Sequence, residues 1–80
     1  MKPIYNKKEF LLPKSINSCA SYHAKVREDG TYKFFIHDCH NAIYLHGDLN
    51  DKQKRKEAPK KFRALAKACL DFVDFIEENY

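Results

Sequence analysis

Tryptophan is absent from this 80-residue sequence, methionine occurs once, and the only glycines are Gly30 and Gly47. Two isolated glycines cannot build a phosphate-cradling loop, so glycine-rich nucleotide-binding motifs are excluded. The three cysteines, Cys19, Cys39 and Cys69, are an odd number, and none belongs to a CxxC pair. A disulfide framework is therefore not expected, and free thiols are. No apolar run approaches the roughly 18 residues that a membrane span needs. The N-terminal stretch MKPIYNKKEF also lacks the apolar segment and small residues of a secretory signal. The expected compartment is the cytosol, with no membrane contact and no cofactor.

What the sequence does contain suits one compact α+β domain: 44% of residues are hydrophobic and 14% aromatic. A chain of this size buries only about 60% of its unfolded surface, so association with a second copy would be a useful addition to its stability.

The stretch from Pro59 to Tyr80 organises the rest. At about 100° per residue, Phe62, Leu65, Ala66, Cys69, Phe72, Val73, Ile76 and Tyr80 fall on one side, a stripe broad enough to bury against a sheet. Phe75 falls outside the stripe and Leu70 on its flank. Upstream, Asn50 followed by Gln53 has the spacing of a capping box, which predicts a helix start at Asp51. Pro59 then kinks or splits the helical region 51–80.

From Ala20 to Asp38 the pattern changes to period two. Glu28, Asp29 and Gly30 suit a three-residue hairpin loop with glycine in the left-handed region. That loop sets Val26 opposite Tyr32, Ala24 opposite Phe34 and Tyr22 opposite Ile36, giving one wholly apolar face. A two-residue Asp29-Gly30 turn would mix charge into both faces, so the burial pattern selects the longer loop. Asn41 to His46 reads as a further strand after a tight turn at Cys39, with Ile43 and Leu45 inward and Tyr44 outward. Residues 1–18, where Phe10, Leu11 and Leu12 are closed off by Pro13, read as an N-terminal arm: an edge strand or a short helical turn. The expected architecture is a three-stranded antiparallel β-meander over 19–47, packed against the long C-terminal helix.

The net charge is +4, but it is unevenly placed: eight of the fifteen basic residues lie between Lys52 and Lys67, against the single acid Glu57. On a helix, Lys52, Lys56, Lys60, Arg63 and Lys67 share one face, opposite the apolar stripe. Lysines four apart repel, and cations near a helix start oppose its dipole. Asp71, Asp74, Glu77 and Glu78 repeat the mismatch at the other end. Because helix stability alone favours the reverse layout, Lys52, Lys54, Arg55, Lys56, Lys60, Lys61, Arg63 and Lys67 are the candidate contacts to a polyanion such as nucleic acid. A solvated, solubilising face is the plain alternative.

Two other chemistries fit the sequence less well. On the second hairpin face Cys19 opposes Cys39, with His23, His37 and His40 nearby, but neither Cys19-x3-His23 nor His37-x-Cys39-His40 matches a zinc pattern. A thiol nucleophile at Cys39 would need a base, an orienting group and a cleft, which a sheet with one helix hardly provides, so no enzyme activity is expected. The remaining class is a small regulator or inhibitor that binds another protein through Phe35, Tyr44, Phe75 and Tyr80. The opposite charges of the two helix ends also suit antiparallel docking of two copies as a homodimer. Aromatics beside the lysines would favour single-stranded nucleic acid; aromatics on the far side would favour a protein.

Overall fold

A computed structural model describes residues 4–80. Four strands, β1 (Tyr5–Phe10), β2 (Ser21–Val26), β3 (Thr31–Asp38) and β4 (Asn41–Asp48), precede one helix, α1 (Lys52–Asn79). The strands form one antiparallel sheet in the order β1-β2-β3-β4. The fold is α+β, with four strands instead of the three expected. The additional strand comes from the N-terminal arm, whose residues pair with β2 from Tyr5 opposite Val26 to Phe10 opposite Ser21.

The hairpin register agrees with the reading of the burial pattern. Val26 faces Tyr32, Ala24 faces Phe34 and Tyr22 faces Ile36. The Arg27 N–H donates to the Thr31 carbonyl (2.9 Å), and Gly30 adopts φ +87°, a conformation that side chains on L-residues rarely take. Asp29 Oδ1 accepts from both the Thr31 N–H (3.0 Å) and its hydroxyl (2.7 Å), so its carboxyl is held below its ordinary range. The tip is also tied to the start of the helix. The Leu49 N–H donates to the Gly30 carbonyl (2.8 Å), and Asn50 Nδ2 donates to the Asp29 carbonyl.

Strand β4 continues the apolar face, with Leu45 opposite Phe34 and Ile43 opposite Ile36. Gly47 lies opposite Tyr32, and a Cβ there would come within 2.6 Å of the ring. The absence of a side chain makes room for the Tyr32 ring, which with Ala58 forms the buried apolar pair among the described residues. Cys39 makes the β3–β4 turn with φ 55°, a left-handed position usually given to glycine or asparagine.

Helix α1 begins one residue later than the capping-box spacing suggests. Asp51 is the N-cap, its Oδ1 accepting from the Gln53 N–H (2.9 Å) and the Lys54 N–H (3.0 Å). Gln53 does not reach back to close a box; it donates to Glu57 four residues on (2.8 Å). Asn50 instead serves the hairpin tip. Pro59 lies inside a single continuous helix, where it removes the N–H that would bond to residue 55. The hydrogen bonds from Lys54 and Gln53 hold the Asp51 carboxyl below its ordinary value of 3.8. A depressed folded value means that the stabilisation is complete above the ordinary value and is lost as pH falls below it. Asp51→Ala is expected to lower the melting temperature by several degrees at neutral pH. The gap between variant and parent should close in strong acid. Asp51→Asn, which keeps the acceptor, should lose little at either pH, as thermal scans across the acid range will show.

The apolar stripe of α1 is only partly covered. Ala58 is buried, and Phe62 and Leu65 are half-buried, but every residue from Ala66 onward is exposed, with Tyr80 at 99%. The reason is length. A helix of 28 residues runs about 42 Å, whereas the eight-residue strands β3 and β4 run about 26 Å. The N-terminal half packs on the sheet through the Phe62 ring, 5.8 Å from Tyr32 and 5.2 Å from Phe34. The C-terminal half extends beyond that contact.

Candidate nucleic-acid interface

One face of the sheet lies under the helix; the other is open, and period-two alternation decides what it carries. Reading across the strands from the pairing, one row is Asn6, Lys25, Lys33, His46. The next is Lys8, His23, Phe35, Tyr44, and the third is Phe10, Ser21, His37, Ala42. These three rows contain three lysines, three histidines and no carboxylate. Phe35 is the centre of an aromatic cluster, with Tyr44 edge-on at 5.4 Å, His23 at 5.9 Å and His37 at 6.1 Å between ring centroids. Phe35 is half-buried by these neighbours, whereas Tyr44 is 61% exposed. The His23 ring is fixed by Nε2 donating to Asn6 Oδ1 (2.6 Å).

Lys25 faces Lys33 directly across the β2–β3 pair. Like charges so placed cost stability, typically about 0.2–1 kcal/mol. The nearest acid on that face, Asp48 opposite Thr31 in the next row, is ion-paired to neither lysine. The arrangement is suited to an anionic ligand, whose phosphates would neutralise both lysines while bases lie on the neighbouring rings.

The basic residues singled out in the sequence are on the helix and exposed. Lys52, Lys56, Lys60, Arg63 and Lys67 occupy the side turned away from Ala58 and Phe62, and hence away from the sheet. Lys61 is engaged inward, its Nζ donating to the Tyr32 hydroxyl (2.5 Å) and lying 5.0 Å over that ring and 5.4 Å over Phe62. Lys67 pairs with Asp71 at 2.8 Å. The helical cations and the open sheet face are thus two basic surfaces on opposite sides of the molecule.

The aromatic candidates separate in the same way. Phe35 and Tyr44 are on the open sheet beside Lys33 and Lys8, whereas Phe75 and Tyr80 are on the projecting end of the helix among its acids. The sheet lysines are what reasoning from the sequence missed. The signal was present, since Lys25, Lys33 and Phe35 alternate onto one face, but the dense run at 52–67 outweighed three lysines spread over three strands.

Among the described residues no group of three His, Cys, Asp or Glu side chains is placed to hold a metal. Cys19 and Cys39 are free and exposed, and the nearby Cys19 thiol pushes the Cys39 thiol above its ordinary range. Among the described residues no helix is long and apolar enough to cross a membrane. Comparison with known proteins finds no family model that matches the chain, no similar curated protein and no similar solved structure.

Proposed function

We propose that the protein is a small non-catalytic module that binds single-stranded nucleic acid on the open face of its sheet. Bases stack on Phe35 and Tyr44, and phosphates meet Lys8, Lys25 and Lys33. The observation that carries this reading is the like-charged pair Lys25 and Lys33, directly opposed and without an ion-pair partner among the described residues, beside the exposed Tyr44 and its neighbour Phe35. The helical cations Lys52, Lys54, Arg55, Lys56, Lys60, Arg63 and Lys67 supply a second, sequence-independent attraction that raises encounter rates and extends the contact for longer strands.

A second reading, a regulator that binds another protein, is favoured by the projecting helix end, where Phe72 and Phe75 are largely exposed. Titration of labelled single-stranded and duplex DNA and RNA by fluorescence anisotropy separates the two. With three phosphates neutralised on a single strand, affinity should fall roughly 20-fold between about 50 and 200 mM salt. Lys25→Glu makes the test sharper, because its two effects have opposite signs. It turns a repelling pair into an attracting one, so the folded state gains stability while nucleic-acid affinity falls. Lys56→Glu with Lys60→Glu should weaken binding less and leave the preference for single strands intact. Salt-independent or undetectable binding to every DNA and RNA would sink the reading in favour of a protein partner.

A further inference from the structure

The helix leaves two apolar surfaces without cover, and they match each other. The first is the C-terminal half of α1, where Phe72, Val73 and Ile76 are 64%, 44% and 43% exposed on the same side of the helix as Ala58 and Phe62. The second is a groove beside the N-terminal half. Ala24, Val26 and Phe34 form its floor, and Arg55, Pro59 and Phe62 form its wall, enclosing an open cavity of about 530 Å³.

We propose that the protein is a two-fold dimer in which the C-terminal half of each helix lies in the groove of its partner, alongside the partner's N-terminal half-helix. Charge selects a second copy as the occupant. Between Lys52 and Lys67 the helix carries eight basic residues and one acid, whereas from residue 68 to 80 it carries four acids, Asp71, Asp74, Glu77 and Glu78, and no base. Antiparallel helices set the acidic half of each chain along the basic half of the other, twice over, as an isologous interface requires. The same exchange accounts for the like charges crowded on each half, which work against an isolated helix but are neutralised by the neighbour.

Length agrees as well. Half of α1, 14 residues, spans about 21 Å, within the roughly 26 Å length of β3. Each sheet would then carry its own half-helix and one from its partner, and the stripe that runs unbroken from Ala58 to Ile76 would be covered along its whole length. The acids also argue against a membrane surface as the occupant, since anionic headgroups would repel them. This inference uses neither Phe35 nor Tyr44, so it holds or fails independently of base stacking on the open sheet face, although the helical cations it pairs with the partner's acids would then be less free to meet a polyanion.

The test is sedimentation of the full chain without nucleic acid, together with two variants that disable opposite halves of the contact. The parent chain should sediment at twice its 9.5 kDa mass, with an affinity that falls as salt rises. Ile76→Asp spoils the helix end and Val26→Glu spoils the groove; each should weaken dimerisation by roughly thirtyfold or more. Mixed together, they should form a heterodimer, because one good helix end then meets one good groove. Circular dichroism confirms that each variant is folded, and if Val26→Glu is not, the exposed rim substitution Arg55→Glu takes its place. A parent chain that stays monomeric at high micromolar concentration in low salt overturns the proposal. So does a groove variant that dimerises as well as the parent, or a mixture that fails to associate.

Discussion

Replacing Phe35 and Tyr44 together by alanine should lower affinity for single-stranded nucleic acid by at least about thirtyfold, since each stacked base contributes about 1–3 kcal/mol. The two rings are edge-on neighbours at 5.4 Å on the open sheet face, and neither bonds to the helix, so the fold loses little when both are removed. The salt slope should stay unchanged, because no charge has been altered; only the intercept moves. Lysine variants on the same face should do the reverse and flatten the slope. Duplex binding through the helical cations should be unaffected by the aromatic substitutions. If the double alanine variant binds single strands as tightly as the parent, the rings do not stack bases and the open face is not the site.

Phe62→Ala should be the most damaging single change to the fold. Phe62 is the ring through which the helix grips the sheet, meeting both Tyr32 and Phe34, and the surrounding core is small. Removing a packed phenylalanine costs about 3–5 kcal/mol when it is fully buried, and somewhat less here, where the ring is half-exposed. Even the reduced figure is a large fraction of what holds together a domain of this size. Urea titration should show a sharply lowered midpoint, and amide exchange should accelerate first in the N-terminal half of the helix. Phe62→Leu should recover most of the loss. An alanine variant with the parent's midpoint would mean that the helix is held by something other than this ring, with the Lys61 bond to Tyr32 the next to examine.

How much of this was legible in the sequence varies by element. The hairpin was, down to its register, because a charged loop ending in Gly30 and a strict alternation leave only one pairing that keeps one face apolar. The extra strand was legible only as one of two alternatives, an edge strand or a short helical turn, with nothing to choose between them. Tyr5–Phe10 puts Tyr5, Lys7 and Glu9 on one side and Asn6, Lys8 and Phe10 on the other, so neither side looks buried. What recruits it is the free edge of β2, and backbone hydrogen bonding leaves no trace in a hydropathy pattern. The stripe on α1 was legible as a direction but not as a depth of burial. Periodicity says which side of a helix is apolar, while the length of sheet available beneath it is set elsewhere. The cations at 52–67 were legible as a run. The open-face lysines are legible only once the register is known, because pairing alone brings Lys25 and Lys33 together.

The sequential order of the strands also sets how the chain can assemble. Each strand pairs with its predecessor, the tip of the β2–β3 hairpin bonds to the residues that start the helix, and the longest connection is segment 11–20 between β1 and β2. No distant ends must meet before neighbouring contacts reward them, so the entropy lost at each step is small and the monomer should fold quickly for a sheet protein. The β3–β4 and β2–β3 hairpins come first, their connections being only two and four residues long, the helix start is caught by the tip of the second, and the N-terminal strand, joined by the longest loop and the most polar sequence, is the last to zip and the first to fray.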